Sequence, residues 1–352
     1  MAWHGIEGHD EIRDLFRRIV ASGRLAHAYL FLGPEGIGKR RFALLLSQAL
    51  QCEHRPAEEL DPCEECSSCR QIKAGTHPDV TVATRPEDRI EFPIETVRSE
   101  IIRPLSMKPT QGRYRIVIAD EANTFNEYSA NALLKTLEEP PQRSLLILLS
   151  TSPELLLPTI LSRCQQIWFK PLSPEVISRI LVEQGAVSDV ETARYFAELA
   201  EGSVSEALLL VSPQVQKLRA ALVGAFGAPR LDAARLLEVA EQAIELAGSD
   251  TASRRQMVQV LCRLTVSLLR MALRLAVGNG GLPPIFGKAE QAAIESLART
   301  VGPDRLIRMI DRTLLAGYHN DRKAHVPFLL EAWACALADL AFPPPLTSAA
   351  RR

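Results

Sequence analysis

Apolar positions along this chain change period more than once. Ile12, Leu15, Phe16 and Ile19 recur at helical spacing and predict a first helix ending near Gly23. Residues 29–32 are a short apolar run closed by Gly33, the pattern of a buried strand, and 42–50 continue as an apolar helix without a breaker. Val80, Thr81 and Val82 predict a second strand. Pro93 suits a helix first turn, with Ile94, Val97, Ile101 and Leu105 along one face. YRIVIA at 114–119 reads as a strand running into Asp120 and Glu121, and 126–139 as a helix stopped by Pro140 and Pro141. LLILL at 145–149 is a fully apolar strand, and 167–169 is another.

Strands alternating with helices predict a parallel sheet covered on both faces. Beyond Pro171 the strand pattern stops. Residues 174–210 break into short helices around Gly185 and Gly202. Residues 214–340 carry longer amphipathic helices, broken between Gly224 and Pro229 and again between Gly278 and Pro284. The expected division is an α/β nucleotide-binding-type domain over 1–170 with an insert at 52–69, a small helical domain over 171–212, an all-α domain over 213–342 and a frayed tail over 343–352.

Composition narrows the classes. Among 352 residues 47% are hydrophobic and the formal net charge is -1, so no global basic field implies nucleic acid and any DNA contact needs a local patch. Arg98 and Arg103, on the helix after Pro93, are candidates for such a patch, or simply a solvated helix face. The N-terminus lacks a basic head followed by an apolar core, so no signal peptide is read there. The most apolar long stretch, 257–277, is interrupted by Arg263, Arg270 and Arg274. The expectation is a soluble, cytoplasmic protein with no membrane partner. Four of the seven cysteines fall between 52 and 69, unlike a disulfide framework.

Candidate chemistry sits in four places. GPEGIGK at 33–39 fits the first seven positions of the phosphate loop G-x-x-x-x-G-K-[ST]: Gly33, Gly36 and Gly38 let backbone N–H groups approach phosphate, and Lys39 supplies a point charge. Arg40 stands at the eighth position, where a hydroxyl would ligate Mg²⁺; the alternative is a glycine turn before a buried helix. Asp120 and Glu121 end an apolar strand, where the first acid could support Mg²⁺ and the second polarise water, or the pair could merely open a solvated helix. Cys52, Cys63, Cys66 and Cys69 have the spacing C-x10-C-x2-C-x2-C, a closed four-thiolate shell for structural Zn²⁺, against chance clustering or redox thiols. His54 and His77 are nearby alternatives, read as surface or loop residues. Arg163 follows Ser162 at a rim from which it could reach a nucleotide on a neighbouring subunit, or it is a cap or surface charge.

Taken together, HAYLFLGPEGIGK (27–39), the four cysteines, DEA (120–122), NALLKTLEEPP (131–141) and LPTILSRC (157–164) resemble bacterial clamp-loader AAA+ subunits of DNA polymerase III, most closely the delta-prime type. The match runs in register through about residue 210. The resemblance implies an AAA+ domain, a helical lid and a C-terminal collar that assembles a five-subunit ring. It implies as partners the ATPase subunits and delta, the sliding clamp, and primer–template DNA through the ring. Arg163 would act in trans on a neighbour's ATP, and Thr151 falls at the family's first nucleotide-sensing position. ATP or ADP with Mg²⁺ is a possible ligand. Two departures, Arg40 and Ser205 (where ATPase subunits tend to carry arginine), point away from autonomous hydrolysis, while Asp120 and Glu121 are retained.

The alternatives are an ATP-hydrolysing gamma/tau-type subunit, a stand-alone nucleotidase, and a zinc-dependent DNA-binding module. The last is disfavoured by Glu53, Glu58, Glu59, Asp61, Glu64 and Glu65 in the insert, which repel phosphate.

Overall fold

Five strands form one parallel sheet: β1 (Ala28–Leu32), β2 (Val80–Ala83), β3 (Arg115–Ala119), β4 (Ser144–Ser150) and β5 (Gln165–Trp168), in the order β2-β3-β4-β1-β5. The structure is a computed structural model and describes residues 3–86, 89–248, 250–278 and 287–342. The expected tail at 343–352, and most of the expected break after Gly278, lie outside those residues.

Side chains alternate across the sheet, as a period of two requires. Tyr29, Phe31, Ile116, Ile118 and Ile147 enter one core with Phe16 of α1 (Asp10–Ala21) and Phe42, Leu46 and Leu50 of α2 (Lys39–Gln51). Leu30, Leu32, Val117, Leu146 and Leu148 enter the other with Val97, Ile101, Leu105, Leu133 and Leu137. Burial on both faces explains why β1, β3 and β4 are apolar without alternation. This is the expected architecture of a parallel sheet with helices on both faces. Beyond β5, no strand follows among the described residues.

After α2 come α3 (Ser67–Lys73) and a helical stretch over 94–106 with a change of winding. It opens as α4 (Ile94–Thr96), continues as a π-helical segment (Val97–Ile102) and closes as α5 (Arg103–Ser106). Val97, Ile101 and Leu105 are buried at a spacing of four, while Ile94 is only half-buried, so the expected stripe loses its first member. Helix α6 (Glu127–Glu138) begins where Asn126 accepts the Ser129 N–H at 2.9 Å. The short α7 (Pro158–Leu161) precedes β5.

The chain separates into two units, Met1–Ala207 and Leu208–Arg352. The first holds the sheet together with the packed pair α8 (Pro174–Glu183) and α9 (Val190–Leu199); the division falls inside α10 (Val204–Val211). The second is helical: α11 (Pro213–Phe226), α12 (Ala233–Leu246), α13 (Thr251–Ala276), α14 (Lys288–Thr300), α15 (Pro303–Asp321) and α16 (Val326–Ala341). Its core joins Leu218, Leu261, Leu269, Met309, Leu337 and Trp333, whose indole N–H donates to Thr313 Oγ1 at 3.2 Å. No helix among the described residues is long and apolar enough to cross a membrane.

Candidate functional site

The turn from β1 into α2 is shaped by glycine. Gly33, Gly36 and Gly38 have φ of 145, 75 and 98°, in the region that favours glycine. At Gly36 space is also closed: an added Cβ would lie 2.2 Å from Ser203 Oγ, and the Gly36 carbonyl accepts the Val204 N–H at 3.0 Å. Lys39 opens α2 almost fully buried and donates to the Gly33 and Pro34 carbonyls, each at 2.6 Å. Burial lowers its pKa, and Asp120 and Glu35 work against that shift. His9 supports the loop from below by donating Nε2–H to the Ile37 carbonyl at 2.8 Å, and its pKa is lowered chiefly by burial.

A cavity of about 700 Å³ opens above this loop. Gly36, Gly38, Lys39, Arg40, Asp120, Glu121, Thr151 and Ser205 all line it, so the structure gathers most of the residues singled out from the sequence. Arg163 does not line it.

Both acids at the end of β3 already face guanidinium groups. Arg40 Nη1 lies 3.4 Å from Asp120 Oδ2. Arg85, which has no sequence signature, reaches Glu121 with Nε at 3.0 Å and Nη2 at 3.3 Å. Glu121 itself sits at φ 54°, a left-handed position uncommon for a residue with a side chain. A Mg²⁺ ion requires oxygen ligands in near-octahedral geometry, whereas position 40 offers only cationic donors directed at the one carboxylate suited to the metal. The residues present therefore do not fit the usual Mg-nucleotide arrangement.

Arg163 lies at the surface. Its Nη2 meets Glu138 Oε1 at 2.7 Å, and Nη1 donates to the Thr159 carbonyl at 3.1 Å. The adjacent Cys164 is buried, which pushes its thiol up to about 12.

The four insert cysteines converge, with all four Sγ atoms within 4.8 Å of one another. Cys52 caps the end of α2, and Cys66 caps the start of α3. Backbone N–H groups of Cys66 and Cys69 point at Cys63 Sγ (3.3 Å) and Cys66 Sγ (3.4 Å). Such donors favour thiolate, and tetrahedral Zn–S bonds near 2.3 Å place sulfurs about 3.8 Å apart, so the donor set fits a closed metal site. Cys69 is raised by burial, whereas at Cys63 backbone donors, with the Cys52 and Cys66 thiols, outweigh desolvation and bring it to about 6.

His77 is a loop residue, as expected, but a buried one, with Nδ1 accepting the Asp79 N–H at 3.1 Å and Nε2 facing Ser68 Oγ at 2.8 Å. It braces the insert and stands outside the thiol cluster, while His54 is exposed, with Nδ1 3.6 Å from Cys63 Sγ. Asp79 also went unmarked in the sequence. Fully buried, it accepts the Thr110, Gln111 and Gly112 N–H groups at 2.7, 2.7 and 2.8 Å and pairs with Arg115 at 3.2 Å. Its partners lie more than thirty positions away, so no local pattern could reveal it.

The chain is similar to known proteins. The family model described as DNA polymerase III, delta subunit, matches residues 8–173. DNA polymerase III subunit tau of Escherichia coli (strain K12) is 31% identical over 353 residues, covering 92% of this chain and 52% of that protein. Subunit delta' of Bacillus subtilis (strain 168) is 34% identical over 200 residues, covering 56% of this chain and 58% of that one. Among solved structures, a DNA polymerase III gamma-subunit-related protein of Thermotoga maritima aligns at 16% identity and a TM-score of 0.48, covering 94% of this chain and 99% of that one. The chain spans about half the length, or less, of the first curated relatives it matches. Residues 8–173 are thus similar to the domain found in DNA polymerase III delta, tau and gamma subunits, the kind to which the sequence motifs pointed.

Proposed function

We propose that this chain is a DNA polymerase III clamp-loader subunit of the delta-prime type, which completes a neighbour's ATP site and does not turn over nucleotide itself. The observation that carries this reading is the double pairing at its own loop, Arg40 with Asp120 and Arg85 with Glu121. A carboxylate held by a guanidinium is a poor metal ligand and a poor base. Arg163 serves the neighbouring subunit in trans. Its pair with Glu138 is exposed, and such pairs contribute about 0–1 kcal/mol, so exchanging Glu138 for a phosphoryl oxygen costs little. Thr151, on the cavity wall, is the first nucleotide-sensing residue.

In this reading 1–170 is the AAA+ domain, 171–212 the lid and 213–342 the collar. Cys52, Cys63, Cys66 and Cys69 hold one structural Zn²⁺, which closes the insert and has no open position for catalysis. The partners are the ATPase subunits and delta, the sliding clamp, and primer–template DNA through the assembled ring, all in the cytoplasm.

The test is ATP turnover by the reconstituted complex. Arg163→Ala is expected to lower it by about 10³-fold or more at the neighbour's site, the scale of other arginine fingers, while assembly is unchanged. Unchanged turnover removes Arg163 from that site. The purified chain alone is expected to show no hydrolysis. Clear hydrolysis would favour the second reading, an ATP-hydrolysing gamma/tau-type subunit, which is supported by the 31% identity to tau over 92% of this chain.

A further inference from the structure

We propose that the cavity above the phosphate loop binds a nucleoside polyphosphate without a divalent cation, with the Arg40 guanidinium in the place of the metal charge. This deepens the reading of an ATPase-inactive subunit and rests on it. Three observations converge.

The first is charge at the start of α2. A helix N-terminus favours anions, yet the first turn of α2 is Lys39, Arg40 and Arg41, with no acid. Three cations at the positive end of a helix oppose its dipole, and an anionic ligand in the cavity relieves that opposition.

The second is how the acids around the cavity are disposed. Asp120 faces Arg40, Glu121 faces Arg85, and Glu7 faces Arg179 at 3.0 Å. Among the described residues, Glu35 is the lining acid left without an arginine partner. In a metal-dependent site free carboxylates repel the phosphates until a divalent ion bridges them. Here the protein's own guanidinium groups offset that repulsion at Glu7, Asp120 and Glu121, and Mg²⁺ could take Asp120 only by displacing Arg40.

The third is shape. The cavity of about 700 Å³ extends well past the loop to walls that include Ile6, Leu172 and Ile180. This is room for a nucleoside and an apolar surface for its base, more than inorganic phosphate requires.

The experiment is a calorimetric titration of the full chain with ADP, in excess EDTA and then in excess MgCl₂. The expected result is binding in EDTA, with Mg²⁺ changing the affinity by less than about tenfold. Binding that appears only with Mg²⁺ overturns the proposal, and so does the absence of binding in both buffers. Neither outcome touches the role of Arg163, which is read separately from turnover of the reconstituted complex. Arg40→Ser supplies the missing hydroxyl and removes the guanidinium. It is expected to weaken metal-free ADP binding by about tenfold or more and to make the remaining affinity depend on Mg²⁺, with an unchanged melting temperature. An Arg40→Ser chain that binds ADP as well as before in EDTA shows that Arg40 is not the metal's substitute.

Discussion

Asp79 and Arg115 show how much one buried pair can organise. The carboxylate gathers three successive N–H groups from 110–112 and one guanidinium, tying the loop before β3 to the start of β2. Burial alone would raise the pKa of Asp79, but the N–H donors and Arg115 bring it down to about 2 from 3.8. A depressed carboxylate stabilises the fold above its unfolded pKa, and that contribution is lost as pH falls through the folded value. The shift corresponds to roughly 2 kcal/mol, present at neutral pH and fading between about pH 4 and pH 2. Asp79→Asn is therefore expected to cost roughly 2–4 kcal/mol in urea unfolding at pH 7, with the gap to the wild type closing toward pH 2. A gap that stays constant across that range would remove the charge of Asp79 from the account. At this scale the sequence marked what is written locally, the glycine loop, Asp120 and the four cysteines, while Thr151 came only through the resemblance. It was silent where chemistry is assembled from afar, as with His9, Arg85 and Asp79. Arg40 was recognised as a departure, but its ion pair with Asp120 needed the fold.

At the scale of elements, apolar runs marked β1, β3 and β4 because both faces of the sheet are covered, and Asn126 and Pro140 bounded α6 by capping and by ring geometry. The π-helical turn at Val97–Ile102 was not legible: a spacing of four between Val97, Ile101 and Leu105 suits an α-helix as well. The insert depended on cysteine spacing, since it has no apolar periodicity and little core beyond Ala57 and Leu60. Its folding should accordingly follow metal content. Native mass measurement is expected to find one zinc per chain, and strong chelation to lower the melting temperature by several degrees, as loss of about 1–2 kcal/mol would. Cys66→Ser should reproduce that loss and make chelation without further effect. A chain that melts identically with and without chelator would count against a metal at these thiols.

At the scale of the molecule, the helical second unit exposes a line of apolar side chains on α15, namely Ile307, Leu314, Leu315 and Tyr318. Helical period places Ile307, Leu314 and Tyr318 on one side, and a stripe of that kind is uncommon on a surface meant for water. If the collar meets neighbouring subunits there, Leu314→Glu will reduce co-purification with the ATPase subunits and delta at least tenfold, roughly the effect of losing 1.4 kcal/mol, while helical content stays the same. Undiminished assembly would place the collar contact elsewhere. The sequence announced these helices as a class because their apolar spacing is regular. It did not mark the breaks after Leu246 and at 322–325, which lack the paired glycine and proline seen elsewhere, and it passed over the one at Gly302 and Pro303, which has them.

The placement of Cys52 has a mechanical consequence. Helix α2 starts at Lys39 and ends at Gln51, so the thiol cluster follows the last turn of the helix whose first turn faces the cavity. Thirteen residues at a rise of 1.5 Å make a rod of about 20 Å, too long for the cluster to touch anything held at the loop. What the cluster can do is clamp the far end. With a metal on the thiols, a beam fixed at one end and seated in the sheet's core along its length would resist fraying, sliding and swivelling, so the loop at its tip would keep one aim. The insert then acts as the anchorage of the loop's alignment, and loosening it would blur that alignment without altering a single residue that faces the cavity.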